Sequence, residues 1–261
     1  MQQRHLDRRL YFTELANTSR EYYIDYICSF FPLSKGSKIM EVGCGEGGNL
    51  LPFAEFGCSV TGIDQCKDRI LQAKYFFSSL NVNANFIAKN IFDVSCVDDA
   101  DKYDVILIHD VIEHINDKNK FLNHLRQFLN KDGIIFWGFP AWHMPFGGHQ
   151  QICKNKICSR LPFIHLCSNI IYRSILRLFG ENSSCINELM DIKQCRVTIE
   201  SFEHYINDNN YIKIDRCLWL VNPHYKQKFN LQPKKMFDWI SKIRYIRNYF
   251  ATSCFYITKC T

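Results

Sequence analysis

Hydrophobic residues along the chain occur in two alternating patterns, short continuous runs and longer segments with helical spacing. The runs predict buried strands, and the segments between them predict helices. This alternation is typical of α/β proteins, in which helices cover both faces of a mostly parallel sheet. The predicted strands are residues 38–44, 59–64, 84–90, 103–110 and 133–140. The predicted helices are residues 46–56, 66–80, a weak stretch near Ser95, and 117–129.

A further helix is predicted ahead of the first strand, over residues 13–31, and Pro32 ends it. Its apolar stripe would consist of Leu15, Tyr22, Tyr26, Ile27 and Phe30. We expect residues 1–36 to form an N-terminal helical cap, in which Tyr22 and Tyr23 close one side of a ligand site.

The alternation stops after Pro140 for about 55 residues, which is too long for an unstructured loop in a compact domain. Residues 141–196 are therefore predicted to form a helical insertion, and we expect it to act as a lid. The main helix of this insertion would span residues 161–179, with Arg173 and Arg177 on its basic face. Its apolar face would consist of Ile164, Cys167, Ile171, Ile175 and Leu178.

The remaining sequence is predicted to complete the same sheet. A helix is expected over residues 198–209, and strands over residues 211–221 and 252–258. Residues 197–261 would thus form the C-terminal part of the sheet, with a smaller basic elaboration at 223–247. The prediction is an α/β fold with a seven-stranded, mostly parallel sheet, helices on both faces, and the lid after the fifth strand.

Composition excludes several classes of protein. A chain of 261 residues with 47% hydrophobic and 22% charged residues can bury a large core, which excludes a disordered or collagen-like protein. The 13 cysteines form no C-x-x-C pair, so the sequence does not indicate a zinc ribbon. Their number and scatter indicate free thiols in a reducing compartment. No signal peptide and no membrane-spanning run are present in the sequence. We therefore expect a cytoplasmic enzyme.

The net charge of +6 comes from two stretches of the chain. Residues 140–180 contain five Lys or Arg and no acidic residue, and residues 224–259 contain eight Lys or Arg against one Asp. Local positive charge suits an anionic or phosphate-bearing partner, or peripheral contact with an anionic membrane. A solvated face is the alternative interpretation.

The stretch from Glu41 to Asn49, EVGCGEGGN, follows a predicted strand and precedes a predicted helix. Glycines in such a turn let the backbone bend sharply and approach a ligand closely. Asp64 ends the next strand, where a carboxylate can accept hydrogen bonds from both hydroxyls of a ribose. The pattern indicates a ligand of the adenosine type.

The spacing E-x-G-x-G-x-G, together with GIDQC, YDVILIHDVIEHI and LRQFLNKDGIIFWGFP, resembles the class I S-adenosylmethionine-dependent methyltransferases over residues 40–140. The resemblance implies a Rossmann-like fold with residues 37–140 as its cofactor-binding half. It implies that Glu41 lies near the methionine end of the cofactor, that Asp64 holds the ribose, and that Asn90 or Asp93 accepts from the adenine amino group. The expected cofactor-binding residues are Glu41, Gly43, Gly45, Gly47, Asp64, Gln65, Asn90, Ile91 and His109. For His109, a packed strand end is an equal alternative.

Three histidines are candidate catalytic residues. His143 and His149 follow the fifth strand, at the sheet edge where the cofactor is expected, and imidazole can act as a general base near neutral pH. His114 lies in D-V-I-E-H, where Asp110, Glu113 and His114 share one helical face. This motif is similar to the E-x-x-E-H metal site of two methyltransferase groups, which makes a divalent ion such as Mg²⁺ a possible cofactor. The alternative is that the acid and histidine only fix the strand-helix corner.

We therefore expect methyl transfer from S-adenosylmethionine to a small molecule, at an oxygen of an aromatic, lipid-like or quinone-type acceptor that is anionic or near a membrane. The inserted helix and a group of aromatic residues would build the acceptor pocket. Those aromatic residues are Trp219, Tyr225, Phe229 and Trp239. Two alternatives stay open: methylation of an RNA 2′-hydroxyl, supported by the basic segments, and a non-enzymatic scaffold that retains the fold.

Overall fold

The computed structural model describes residues 7–96 and 98–261, and its centre is one mixed sheet. The strands are β1 Lys38–Val42, β2 Ser59–Asp64, β3 Asn85–Ala88, β4 Tyr103–His109, β5 Leu129–Phe139, β6 Tyr211–Val221, β7 Lys234–Lys235 and β8 Ser253–Cys260. Their order across the sheet is β3-β2-β1-β4-β5-β8-β6-β7. The first five strands pair in parallel, and β8 runs antiparallel to both β5 and β6. The predicted α/β fold is confirmed.

The predicted number of strands is wrong by one, because the described residues form eight. The additional strand, β7, has only two residues and pairs with the bulged end of β6 near Trp219 and Val221. It lies in the basic elaboration at 223–247. A pair of lysines carries no hydrophobic alternation, so the sequence pattern gave no signal for a strand there.

Helices flank the sheet. They are α1 Arg8–Thr18, α2 Ile24–Cys28, α3 Leu51–Phe56, α4 Lys67–Ser79, α5 Lys118–Leu125, α6 Asn169–Leu178, α7 Ser183–Cys195, α8 Ile199–Asp208, α9 His224–Phe229 and α10 Asp238–Ser241. Short 3₁₀ turns occur at Gly48–Leu50, Ile91–Asp93, Asp99–Asp101, Ile112–His114, Arg126–Phe128, Gln150–Ile152, Cys158–Arg160, Ile164–Leu166 and Ile246–Tyr249. No helix within residues 7–96 and 98–261 is both long and apolar enough to cross a membrane.

Each face of the sheet carries its own hydrophobic core, which confirms that helices cover both faces. Along β4, Ile106 and Ile108 pack on one side with Trp137, whereas Val105 and Leu107 pack on the other. Successive side chains of a strand point to opposite faces, so a strand that is buried on both sides must be apolar throughout. This explains the continuous hydrophobic runs of the sequence.

The N-terminal helix begins earlier than predicted. The carboxylate of Asp7 accepts a hydrogen bond from the backbone N–H of Leu10 and so caps α1. The helix therefore begins at Arg8, five residues before the predicted start at Thr13. The helix passes through a π-helical turn at Ser19–Tyr23 and continues as α2. Tyr23 is fully buried in this turn.

The insertion contains two helices, of which the sequence predicted one. The first part of predicted helix 161–179 is wrong, because the side chain of Ser168 caps α6 and the residues before it form turns. The predicted apolar face is also wrong, since Tyr172 and Leu176 are buried whereas Ile171 and Leu178 are exposed. Helix α7 was not predicted. The two helices share a separate small core consisting of Cys153, Cys158, Tyr172, Leu176, Ile186, Leu189 and Met190.

Candidate functional site

The glycine turn after β1 is held in a conformation that side chains rarely adopt. Gly43, Gly45 and Gly47 all have positive φ, at 70°, 52° and 80°. A Cβ at Gly43 would lie 2.4 Å from Cγ2 of Val111, whereas a Cβ at Gly45 would meet nothing closer than 4.0 Å. Gly43 is therefore required by both conformation and space, and Gly45 by conformation alone.

Asp64 fixes this turn from the end of β2. One carboxylate oxygen accepts a hydrogen bond from the backbone N–H of Gly45 at 2.9 Å, and the other accepts from the N–H of Cys66 at 2.8 Å. Asp64 is 8% exposed, so its carboxylate lies at the sheet edge with little contact to water. Each oxygen retains a lone pair for a ligand hydroxyl.

Glu41, the penultimate residue of β1, is a buried acid with an unpaired oxygen. Its Oε1 accepts a hydrogen bond from the side-chain amide of Asn49 at 2.7 Å, and its Oε2 has no hydrogen-bond partner. Burial, aided by the nearby charge of Asp64, raises the pKa of Glu41 to about 8. An unsatisfied carboxyl oxygen in such a place suits a cationic ligand.

The residues predicted to bind the cofactor beyond Asp64, and the two candidates for the adenine contact, differ in their exposure. Gln65 is exposed, and Ile91 is buried at the start of the turn after β3. The side-chain oxygen of Asn90 accepts a hydrogen bond from the backbone N–H of Phe92 at 3.1 Å, which caps that turn. Asp93 is exposed. A contact of these side chains with adenine stays a prediction.

His109 occupies a packed strand end. It is 7% exposed, and its Nε2 lies 2.7 Å from the hydroxyl of the buried Tyr23. Its ring also covers Gly138 on β5, where a Cβ would lie 2.4 Å from His109 Cδ2. The geometry favours the structural alternative, although a cofactor contact stays a prediction.

A cleft of about 260 Å³ opens beside the glycine turn. Cationic and aromatic side chains from distant parts of the sequence line it together with Asp110 and His149. The lining includes Arg8, Tyr11, Arg69, Asp110, Met144, Phe146, His149, Tyr225 and Lys228. Cδ of Arg69 lies 4.0 Å from a Cβ built at Gly45, so the cleft and the turn are adjacent.

His149 lines this cleft as a neutral imidazole. Burial, aided by the neighbouring His114, lowers the pKa of His149 to about 4, so the imidazole is neutral near pH 7. Its ring meets that of His114 edge-on, with 5.2 Å between the ring centroids. A neutral imidazole that faces a cleft can act as a general base.

Glu113, His114 and His149 form one cluster of possible metal ligands, with their ligand atoms all within 4.8 Å of one another. Glu113 is buried, and neither of its carboxyl oxygens has a hydrogen-bond partner. Burial, together with the charge of Asp110, holds the pKa of Glu113 well above its usual range. Asp110 is not part of the cluster. Two imidazoles and one carboxylate suit zinc, iron or manganese better than Mg²⁺, which prefers oxygen ligands.

His143 does not line the cleft as His149 does. Its ring packs beside Tyr249, with 5.2 Å between the ring centroids, and its Nδ1 is buried without a partner. Burial lowers the pKa of His143. Of the two histidines in the segment after β5, the structure thus brings only His149 to the cleft lining.

Comparison with known proteins identifies the family. Residues 15–146, which are 132 of the 261 residues, match the family model described as a methyltransferase domain. The matched segment contains the glycine turn, Asp64 and residues 110–114. The chain belongs to this methyltransferase family. The predicted resemblance to the class I S-adenosylmethionine-dependent methyltransferases is confirmed.

Curated relatives match part of the chain. The ubiquinone biosynthesis O-methyltransferase of Glaesserella parasuis is 30% identical over 104 residues, which are 39% of this chain and 44% of that protein. The protein of the same name from Bartonella quintana is 27% identical over 153 residues, 54% of this chain and 61% of that protein. The methyltransferase described here thus spans about half the length of these relatives.

Solved structures match nearly the whole fold. An S-adenosylmethionine-dependent methyltransferase from Clostridium acetobutylicum has a TM-score of 0.58 at 11% identity, covering 94% of this chain and 91% of that one. The magnesium protoporphyrin IX methyltransferase of Synechocystis PCC 6803 has a TM-score of 0.57 at 12% identity, covering 95% and 84%. At such low identity these likenesses establish the fold alone.

Several cleft residues of this methyltransferase were not predicted as site residues. Arg8, Tyr11 and Arg69 lie on helices, and Lys228 lies in the basic elaboration; none of them belongs to a recognisable motif. The only available signal was the local excess of positive charge at 224–259, which includes Lys228.

The predicted acceptor pocket is partly wrong. Tyr225 lines the cleft, but Trp219 is buried in a core, and Phe229 and Trp239 are 50% and 67% exposed. Helix α6 is absent from the lining, to which the insertion contributes residues 144–152 instead. Tyr22 packs edge-on against Trp219 rather than at the cleft, and the N-terminal cap reaches the cleft through Arg8 and Tyr11.

Proposed function

We propose that this protein transfers the methyl group of S-adenosylmethionine to an oxygen of a small, anionic aromatic or quinone-type acceptor. The observation that carries this proposal is the cleft beside the glycine turn, in which His149 meets Arg8, Arg69 and Lys228 and the aromatic rings of Tyr11 and Tyr225. The names of the curated relatives, ubiquinone biosynthesis O-methyltransferases, support an oxygen of a quinone-type acceptor.

The residues at the turn fit the cofactor. The unpaired Oε2 of Glu41 offers an acceptor for a cationic amine, and the Asp64 carboxylate offers lone pairs for ribose hydroxyls. Gly45 adds no Cβ on the side of the turn that faces Arg69, so a ligand can approach its backbone closely. When bound, S-adenosylmethionine supplies an electrophilic methyl group on a sulfonium, and this chain has to orient the acceptor in line with it.

His149 would activate the acceptor. A hydroxyl becomes a strong nucleophile when it loses its proton, and a neutral imidazole can accept that proton at its unprotonated nitrogen. The low pKa of His149, about 4, keeps it neutral over the physiological range. The aromatic side chains of Tyr11 and Phe146 give the acceptor ring an apolar surface to pack against.

A divalent ion is a second way to activate the hydroxyl. The cluster of Glu113, His114 and His149 fits such an ion, since the two unpaired carboxyl oxygens of Glu113 lie next to two imidazoles. The ion would polarise the acceptor oxygen as a Lewis acid. Glu113→Gln separates this route from activation by His149 alone, because it removes a ligand of the ion and leaves both imidazoles in place. Only the ion-dependent route loses activity in this variant.

We also propose peripheral contact of α6 with an anionic membrane. Ile170 and Leu178 are 79% and 83% exposed on this helix, beside the exposed Arg173 and Arg177. Exposed apolar residues next to cationic ones are typical of helices that lie in a membrane surface. Vesicles of phosphatidylcholine with and without phosphatidylglycerol test this in a sedimentation assay. We expect binding to the anionic vesicles that I170S/L178S abolishes and L71S, at an exposed position of α4, leaves intact.

The acceptor is tested with two catechols that differ in charge. Protocatechuate carries a carboxylate, and its amide does not, so methyl transfer from labelled S-adenosylmethionine is measured for both. We expect a lower KM for the carboxylate, and we expect Lys228→Gln to raise that KM on the order of 10-fold while it leaves the KM of the amide unchanged. Equal KM values would contradict the anionic acceptor, and methylation of RNA but of neither catechol would contradict a small-molecule acceptor.

A further inference from the structure

Two buried cysteines and one glutamate meet inside the insertion, and none of them belongs to the cleft lining. The Sγ atoms of Cys153 and Cys158 and a carboxyl oxygen of Glu181 all lie within 4.8 Å of one another, and all three residues are buried. Cys185, on the first turn of α7, packs against the same small core. Three potential metal ligands thus converge in one small core, and a fourth residue with a suitable thiol packs beside them.

The backbone around the cluster is organised to hold these groups. The side-chain oxygen of Asn155 accepts hydrogen bonds from the N–H groups of Ile157 and Cys158, which fixes the loop between the two cysteines. The carboxylate of Glu181 accepts from the N–H groups of Lys154 and Asn155 at 3.1 and 2.8 Å. Each carboxyl oxygen keeps a lone pair, so Glu181 can still bind an ion.

The distance between the two thiols matches a metal site better than a disulfide. The Sγ atoms of Cys153 and Cys158 are 3.8 Å apart. Two thiolates bound to one tetrahedral zinc ion at about 2.3 Å are about 3.8 Å apart, whereas the sulfurs of a disulfide are about 2.05 Å apart.

Hydrophobic packing of thiols does not account for the whole cluster. Tyr172 is fully buried in the same core as Cys153 and Cys158, and its hydroxyl has no hydrogen-bond partner. A buried hydroxyl without a partner is costly, and a metal-bound thiolate would accept its hydrogen bond. The insertion has only a small hydrophobic core. Small folding units of this kind are often stabilised by a structural metal ion.

We propose that Cys153, Cys158, Cys185 and Glu181 form a closed tetrahedral site for zinc, which holds the insertion together. Four protein ligands without an open position are typical of structural rather than catalytic zinc. The ion replaces the three thiol protons, which are released to solvent. No motif in the sequence indicates such a site, because the four residues lie at spacings of five, 23 and four and come near one another only in the folded insertion.

Cobalt provides the decisive probe, because a thiolate bound to Co²⁺ gives a charge-transfer absorption in the near ultraviolet that imidazole and carboxylate ligands do not give. Untagged full-length apoprotein is titrated with Co²⁺ and then with Zn²⁺. We expect the band to saturate at one Co²⁺ per chain and to disappear when Zn²⁺ displaces it. E113Q/H149Q, which changes the other cluster, should keep the band.

Cys153→Ser should lose most of the band, whereas Cys167→Ser, a half-buried cysteine of the same insertion outside the cluster, should keep it. If C153S does not fold, alkylation of the wild-type protein with and without a chelator tests the site instead. Cys153, Cys158 and Cys185 should react only after chelation, whereas the exposed Cys28 should react equally with and without the chelator. No band at equimolar Co²⁺, equal alkylation with and without chelator, or a disulfide between Cys153 and Cys158 would overturn the proposal.

Discussion

The hydroxyl of Tyr23 lies 2.7 Å from Nε2 of His109, and both residues are buried between the N-terminal helix and the end of β4. This contact ties the N-terminal cap to the sheet edge. Tyr23→Phe would leave a buried imidazole nitrogen without its partner, so we expect a loss of about 1–3 kcal/mol in the free energy of unfolding. Urea denaturation of Y23F measures it, with Y22F at the neighbouring ring as the control. Equal stability of the two variants would show that the hydrogen bond contributes little.

The glycine turn allows the cost of steric overlap to be separated from the cost of a positive φ. Gly43→Ala brings a Cβ to 2.4 Å from Val111, and Gly45→Ala does not crowd any atom. Both variants bear the strain of a positive φ, about 1 kcal/mol, but only G43A adds the overlap. We expect G43A to be the less stable variant in thermal denaturation, and V111A to restore part of the loss in the double variant. If V111A gives no recovery, the overlap is not the cause.

Glu41 predicts a pH dependence of cofactor binding. The pKa of Glu41 is about 8 in the folded protein and about 4.5 in an unfolded chain. Between these two pH values the folded protein keeps a proton that the unfolded chain has lost. The free energy of unfolding of the ligand-free protein should therefore fall as the pH rises from about 4.5 to 8. A cationic ligand favours the ionised form. Binding of S-adenosylmethionine should therefore release a proton below pH 8, and its affinity should rise with pH.

Calorimetry in buffers of different ionisation enthalpy measures that proton release. Glu41→Gln cannot ionise and should remove both the proton release and the rise in affinity. Glu55→Gln, an exposed acid of α3, is the control and should retain both. Proton release that persists in E41Q would assign it to another group.

His149 predicts a dependence on the acidity of the acceptor. His149→Gln should lower kcat/KM for protocatechuate by about 10²–10⁴-fold and leave the affinity for S-adenosylhomocysteine unchanged. A nitro-substituted catechol loses its proton more readily, so its rate should fall much less. His204→Gln, an exposed histidine paired with Asp208 on α8, is the control. An equal loss for both catechols would contradict the role of His149 as a base.

The sequence predicted the first half of the sheet well because its strands are buried on both faces. A strand such as β4 has to be apolar at every position, which gives a continuous run that few other structures require. The glycine turn was equally readable, since the positive φ of Gly43 and the space beside it permit little else. In both cases a local physical constraint fixes the residue type.

The insertion and the walls of the cleft could not be predicted in the same way. The wrong face of α6 was predicted to be buried because α6 packs against α7, and the hydrophobic pattern did not predict α7. Arg8, Arg69 and Lys228 meet in the cleft only after the N-terminal helix, α4 and α9 pack together. Contacts over such long sequence separations leave no periodic signal in the residues themselves.

The proposed methyl transfer depends most directly on a cofactor site at Asp64 and the glycine turn. Calorimetric titration of the full-length protein with S-adenosylhomocysteine tests it, on the wild type, on Asp64→Asn, and on Asp68→Asn as an exposed control on α4. We expect one binding site with a micromolar Kd in the wild type and in D68N, and a loss of affinity of at least about 10-fold in D64N with its fold retained. No binding in the wild type, or the same affinity in D64N, would contradict the account.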